Sequence, residues 1–122
     1  MKTQAQLRTE LYSALYANTT LPNNIYWIGK PTITSTFPCI IYTFLDDIGG
    51  YAFSDGLVNE DVTVQLDVYV DLGDAINMDI IVNELKSVMY TIGYRNIGQP
   101  VEFLEADIQK IMRATRWEKW NV

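Results

Sequence analysis

A strict alternation of apolar and polar residues marks the centre of the chain. From Val62 onward every second residue is aliphatic, and the residues between them are Thr, Gln, Asp and Tyr. A period of two is that of a β-strand with one buried face and one polar face. We therefore predict a strand over about 60–71 that buries Val64 and turns Asp67 and Tyr69 toward the polar side.

Helical spacing replaces this alternation at the start of the chain. Thr3 and Gln6 have the spacing of a capping box, in which each side chain binds the backbone of the other residue. Leucines recur at intervals of four from Leu7 to Leu15, which places them on one helical face. Turn-forming Asn, Thr and Pro residues come next, so a helix is predicted over 3–17.

A second helix is predicted over 74–92. Asp71 or Asp74 is expected to cap its start, and Gly93 stands where a C-terminal cap is wanted. The predicted apolar stripe consists of Ile76, Ile80, Ile81, Leu85, Val88, Met89 and Ile92.

Shorter β-rich runs complete the predicted fold. Strands are predicted at about 25–28 and 38–46, the second beginning at Pro38, where a missing backbone donor costs little. One or two strands close the chain. Thr and Trp favour a strand over about 109–120, and a helix there stays open. The chain 1–122 is thus predicted to be one α+β domain, a mostly antiparallel sheet of about four strands with two helices packed on one face.

Composition is that of an ordinary globular domain. The 122 residues are 48% hydrophobic and 20% charged, which argues against disorder throughout. Cys39 is the single cysteine, so no intrachain disulfide can form, and its apolar neighbours predict an inert core thiol. The first residues lack the pattern of a secretory signal and no run approaches a membrane span, so we expect an intracellular protein at synthesis.

Charge is distributed unevenly. The net charge of −6 disfavours general attraction to nucleic acid. No basic residue lies between Lys30 and Lys86, whereas the end of the chain carries Lys110, Arg113, Arg116 and Lys119. The acidic middle of one subunit is predicted to pair with the basic end of the next. Intrachain pairing is the simpler alternative if both segments share one sheet.

Catalytic chemistry is hard to find in this sequence. There is no histidine, which removes the usual acid–base group, and no glycine-rich phosphate loop follows a strand. The pairs Asp46-Asp47 and Glu60-Asp61 resemble paired carboxylates or a hard-metal site, but a solvated loop explains them better. We expect no enzyme activity, no cofactor and no metal.

Aromatic residues are more frequent than a core of this size requires, with 8 Tyr, 4 Phe and 3 Trp. Exposed aromatic side chains are enriched where proteins meet partners. Core or intraloop packing is the alternative for each residue taken singly. The predicted subunit or partner interface consists of Tyr51, Phe53, Asp67, Tyr69, Arg113, Arg116 and Trp117.

The order of these motifs resembles a known family. A helix near Met1 is followed by Ile25-Tyr26, by the run 37–42 (Phe-Pro-Cys-Ile-Ile-Tyr), and by the run 64–69 (Val-Gln-Leu-Asp-Val-Tyr) before a helix. The closing run 111–117 (Ile-Met-Arg-Ala-Thr-Arg-Trp) carries basic and aromatic residues. This pattern is similar to that of the small tail-completion, or tail terminator, proteins of long-tailed bacteriophages.

The resemblance implies an α+β subunit that assembles into a hexameric ring in the virion. Such a ring would cap the tail tube, stop its growth and join it to the head-completion or connector protein. The resemblance also implies that DNA passes through without specific binding, that assembly takes place in the host bacterial cytoplasm, and that no membrane is involved. Two alternatives stay open: another neck ring, such as a head-completion or stopper protein, and an acidic DNA-mimic inhibitor of a nuclease.

Overall fold

The computed structural model describes residues 2–27, 36–45, 57–58 and 62–119. These residues form two α-helices, one short 3-10 helix and seven strands. In chain order the elements are β1 (Lys2–Thr3), α1 (Gln4–Ala17), β2 (Ile25–Trp27), β3 (Cys39–Phe44), β4 (Leu57–Val58), β5 (Val62–Asp71), α2 (Ala75–Thr91), β6 (Arg95–Glu105), the 3-10 helix (Ala106–Ile108) and β7 (Lys110–Lys119).

Five strands form the main sheet in the order β2-β3-β5-β7-β6. The β2–β3 pairing is parallel and the other three pairings are antiparallel. The short strands β1 and β4 pair separately. The α+β class is therefore confirmed, but the prediction of about four strands is wrong. The strand that the prediction lacks is β6, and the parallel pairing of β2 with β3 makes the sheet mixed.

Both helices pack on the same face of this sheet. Leucines of α1 and apolar residues of α2 meet the inward side chains of β5 in one hydrophobic cluster. Burying Val64 and its alternate neighbours on that face removes apolar surface from water, the main favourable term in folding. The central members of this cluster are Leu7, Leu11, Leu15, Val64, Leu66, Val68, Met78, Ile81, Leu85, Met89 and Trp117.

The predicted helix ends are largely those of the structure. Thr3 is the N-cap of α1: its Oγ1 accepts from the Gln6 N–H at 3.1 Å, and Gln6 Oε1 accepts from the Thr3 N–H at 2.9 Å, which confirms the capping box. Gly93 follows α2 with φ +93°, and Tyr94 N–H donates to Met89 O at 2.9 Å. That bond is the signature of a glycine-terminated helix.

The predicted stripe of α2 is wrong at its start. Ile76 is 78% exposed and Ile80 is also exposed, whereas Met78 and Val82 are buried in the core. Asp74 is the N-cap, but its side chain makes no capping hydrogen bond and instead accepts from Asn77. The helix is apolar on more than one side, so spacing alone did not identify the face that packs on the sheet.

Where the structure describes them, the remaining boundaries differ from the prediction by one or two residues, the usual scatter at the ends of helices and strands. Residues 28, 46, 60 and 120 lie outside the described residues. Within the described residues, the predictions 3–17, 25–28, 38–46, 60–71, 74–92 and 109–120 become Gln4–Ala17, Ile25–Trp27, Cys39–Phe44, Val62–Asp71, Ala75–Thr91 and Lys110–Lys119.

Candidate assembly surface

The predicted interface residues do not form one surface. Tyr51 and Phe53 lie outside the described residues, as do the four loop carboxylates Asp46, Asp47, Glu60 and Asp61. The other five lie on β5 and β7, which are neighbours in the middle of the sheet rather than at its edges. Tyr69 and Trp117 are buried, Asp67 and Arg116 contact polar neighbours on the sheet face opposite the helices, and Arg113 forms ion pairs.

Trp117 is a core residue, so its assignment to an interface is wrong. It is fully buried in the main cluster and its ring meets Tyr90 edge to face at 5.8 Å between centroids. Its indole Nε1–H donates to Thr115 Oγ1 at 2.8 Å, and the Thr115 hydroxyl donates to Leu66 O at 3.1 Å. Every second residue of β7 faces the helices, which is why a tryptophan near the end of the chain reaches the core.

Tyr69 was predicted on the polar face of β5, and that face is where it lies, but it is buried rather than exposed. It belongs to a second, smaller cluster on the sheet face opposite the helices, with Cys39, Ile41 and Met112. Burial, assisted by the nearby negative charge of Asp67, raises the pKa of Tyr69 to about 12. We call this face the open face of the sheet. Its cluster shows that the face is not uniformly polar.

Arg113 is held within its own subunit. Its Nη1 lies 2.8 Å from Asp79 Oδ1 of α2, and its Nη2 lies 2.9 Å from Glu102 Oε1 of β6. Partial burial lowers the pKa of Arg113, but hydrogen bonds to the two carboxylates raise it by more. The guanidinium therefore ties α2 and β6 to β7.

The other basic residues of the chain end show the same behaviour. Lys110 pairs with Asp71 at 2.7 Å and Lys119 pairs with Glu10 at 2.7 Å. The acidic middle and the basic end do lie in one sheet, so intrachain pairing is the arrangement found for these residues. Arg116 instead donates from Nε to Gln65 Oε1 at 3.3 Å.

Asp67 lies on the open face between these groups. Gln65 Nε2 donates to Asp67 Oδ1 at 2.9 Å. Burial raises the pKa of the Asp67 carboxyl, and the Gln65 hydrogen bond and the charge of Arg116 partly oppose this shift. Asp67, Gln65 and Arg116 form a polar row beside the second hydrophobic cluster, in the interior of the sheet.

One edge of the main sheet exposes apolar side chains that sequence reasoning missed. Among the described strands β6 pairs with β7 alone, and its side chains Val101, Phe103 and Leu104 are 48%, 50% and 63% exposed. An apolar edge strand with free backbone groups is a template for pairing with another chain. The sequence does contain a signal for this strand, since residues 101–104 are apolar except for one glutamate.

The opposite edge exposes aromatic side chains. Tyr26 and Trp27 of β2 are 41% and 46% exposed, and the Arg8 guanidinium of α1 lies 4.2 Å from the centre of the Trp27 ring. Tyr12 and Tyr16, also exposed, stack on each other at 5.7 Å along the same helix. The two edges therefore differ in chemistry: one combines Val101, Phe103 and Leu104 with acidic residues, and the other carries tyrosine and tryptophan with an arginine.

The described residues offer an open groove but no cluster of metal ligands. An open groove of about 350 Å³ runs between α1 and α2, where Asn18 Nδ2 donates to Glu84 Oε1 at 2.7 Å. No group of three or more Cys, Asp or Glu side chains among the described residues is placed to hold a metal ion. Neither described helix combines the length and apolar character needed to cross a membrane.

No protein-family model matches this chain, and no curated protein sequence matches it. Function must therefore be inferred from the side chains and contacts of the chain itself.

Proposed function

We propose that this protein is a ring-forming structural component of a bacteriophage neck or tail, a tail terminator that caps the tail tube and joins it to the head connector. The observation that carries the proposal is the pair of exposed apolar edges at opposite ends of one sheet, β2 with α1 on one side and β6 on the other. The family resemblance of the sequence supplies the biological setting, a virion assembled in the bacterial cytoplasm.

Two dissimilar edges favour a head-to-tail contact. A twofold dimer buries the same patch on both subunits, whereas a ring buries two different patches of each subunit. Here the β6 edge carries Val101, Phe103 and Leu104, and the β2 edge carries Tyr26 and Trp27. Each edge can therefore contact the other edge of a neighbouring copy. Copies joined head to tail in this way bury both edges of every subunit only when the rotation between neighbours closes a ring.

The charges fit passage of DNA rather than its capture. Phosphate binding requires clustered Lys and Arg with free donors. In this protein Lys110, Arg113 and Lys119 already pair with carboxylates of the same subunit, and the net charge is −6. A ring of such subunits offers little attraction to a phosphate backbone that moves through it.

A DNA-mimic inhibitor fits less well. Such a protein presents unneutralised carboxylates on one convex surface. Four carboxylates, those of Glu10, Asp71, Asp79 and Glu102, are within 2.9 Å of a lysine or arginine nitrogen. A mimic also has no use for apolar side chains at two sheet edges.

Native mass spectrometry and light scattering of the purified protein test the proposal. We expect a closed ring of several 14.0 kDa subunits, or a monomer that forms such a ring when purified tail tubes are added. Electron microscopy of the mixture is expected to show density at one end of each tube. A monomer or dimer that stays so at high concentration and binds no tube end contradicts the proposal.

A further inference from the structure

Only part of β6 is shaped to pair with another strand. Its register against β7 shifts between Ile97 and Val101, where Gly98 has φ +70° and Pro100 has no backbone donor. Beyond this bulge, residues 101–105 pair continuously with β7 on one side. Along this segment no other described strand pairs with the second side, so its outward backbone groups can bind a further strand.

Side chains of this segment alternate between the two faces of the sheet. Phe103 pairs with Met112, which belongs to the open-face cluster, so Phe103 points to the open face. Leu104 pairs with Ile111, which packs on the main core, so Leu104 points to the helix face.

The opposite edge has a matching alternation. Tyr26 pairs with Ile41 of the open-face cluster and therefore points to the open face, whereas Ile25 lies in the main core and Trp27 shares its face. The strand β2 runs parallel to β3, and the three antiparallel pairings that follow make β6 run opposite to β2. A second copy placed beside the first in the same orientation thus brings its β2 antiparallel to β6.

We propose that β6 of one subunit pairs edge to edge with β2 of a second copy of this chain, with Phe103 opposite Tyr26. This inference rests on the proposed ring and names the contact that builds it. In this register Leu104 lies opposite Ile25 and Glu102 lies opposite Trp27, so the two residues of each pair share a face. Two of the three pairs, Phe103–Tyr26 and Leu104–Ile25, join apolar or aromatic side chains. The open-face cluster then continues from Phe103 and Met112 of one copy to Tyr26 and Ile41 of the next.

Charge selects this register over its neighbour. A shift by two residues in either direction also keeps the faces matched. One such shift sets Trp27 against Pro100 in the bulge, where a ladder donor is missing, and the other sets Ile25 against Ala106, beyond the end of β6. With Trp27 opposite Glu102, the Arg8 guanidinium on the Trp27 ring approaches Glu102 and Asp79, two half-exposed carboxylates that share the single charge of Arg113. The contact then brings a cation to a site with net negative charge.

Paired cysteines test the register. In a directly opposed antiparallel pair the Cα atoms lie about 4.5–5.5 Å apart, within disulfide range. A mixture of Tyr26→Cys and Phe103→Cys proteins is oxidised and run on a non-reducing gel. The matched control replaces Phe103→Cys by Leu104→Cys, one residue along and on the other face. Cys39 stays in place in all variants because it is fully buried.

We expect a disulfide-linked dimer with Phe103→Cys and little or none with Leu104→Cys. Phe103→Lys, which places a charge on the edge, is expected to weaken assembly by roughly tenfold or more. Ser87→Lys adds the same charge in the groove between the helices and is expected to leave assembly unchanged. Circular dichroism checks that each variant is folded.

The outcomes separate the two proposals. If the Tyr26→Cys and Phe103→Cys proteins assemble into rings but form no disulfide, or if Phe103→Lys assembles normally, this contact is overturned while the proposed ring stands. Equal cross-linking of Phe103→Cys and Leu104→Cys overturns the register. A wild-type protein that never assembles, alone or on tail tubes, overturns the proposed function and this contact with it.

Discussion

The Thr115 hydroxyl is predicted to stabilise the monomer by satisfying the indole of Trp117. Thr115 is 2% exposed, its Oγ1 accepts from Trp117 Nε1 at 2.8 Å, and its hydroxyl donates to Leu66 O at 3.1 Å. The substitution Thr115→Val keeps the branched shape and removes both hydrogen bonds. It leaves the buried indole N–H with no acceptor.

The expected loss follows from these two bonds. A buried donor left unsatisfied costs about 1–3 kcal/mol, and the hydrogen bond to Leu66 contributes about 1 kcal/mol net. We therefore expect Thr115→Val to lower the free energy of unfolding by roughly 2–3 kcal/mol, out of the 5–15 kcal/mol typical of a domain. Thr115→Ser keeps the hydroxyl and is the matched control, with an expected loss of about 1 kcal/mol for the deleted methyl.

Urea unfolding followed by far-ultraviolet circular dichroism measures both variants. A double-mutant cycle with Trp117→Phe isolates the indole contact, because phenylalanine has no N–H to leave unsatisfied. In the Trp117→Phe background Thr115→Val is expected to lose only about 1 kcal/mol, a coupling of roughly 1–2 kcal/mol. Equal losses in the two backgrounds, or a loss below about 0.5 kcal/mol in the wild type, refute the reasoning.

Two further predictions concern buried polar groups. Tyr94 is buried and its hydroxyl has no hydrogen-bond partner among the described residues. Tyr94→Phe is therefore expected to raise the free energy of urea unfolding by about 1 kcal/mol, and a loss of stability contradicts this. Burial raises the pKa of Asp67, so the folded protein binds the Asp67 proton more tightly than the unfolded chain does. The stability gained from this proton is complete below the unfolded-chain pKa and is lost as pH rises through the folded-state pKa. Asp67→Asn should therefore gain more stability near neutral pH than near pH 3, and an equal gain at both pH values excludes this.

Local signals with a definite mechanism were predictable from the sequence. The alternation around Val64 predicts β5 because a strand with one buried face has a period of two. The Thr3–Gln6 spacing predicts the start of α1 because both orphan backbone donors there need partners. Gly93 predicts the end of α2 because its positive φ is one that other residues rarely adopt.

Features decided by tertiary contacts were not predictable in the same way. The strand β6 is exposed on both faces through most of its length, so no apolar period marks it, and Gly98 and Pro100 suggest a turn although they form a bulge. Tyr69 lies on the face that alternation predicts, but a second cluster covers that face at one end. Which face of α2 packs inward depends on the sheet beneath it, and this placed Met78 inside and Ile76 outside.

Arg113 contributes to assembly through the position of β6 rather than through a direct charge contact between subunits. A basic residue near the end of an acidic chain suggests attraction between subunits, yet its guanidinium bridges Glu102 of β6 and Asp79 of α2 in the same subunit. Exposed ion pairs add little stability, so the more important effect is positional: the bridge fixes β6 against α2 and β7. Arg113→Glu would place three carboxylates together and displace the edge strand, so it disturbs monomer and ring alike. Substitutions at Phe103, which makes none of these bonds, separate the two.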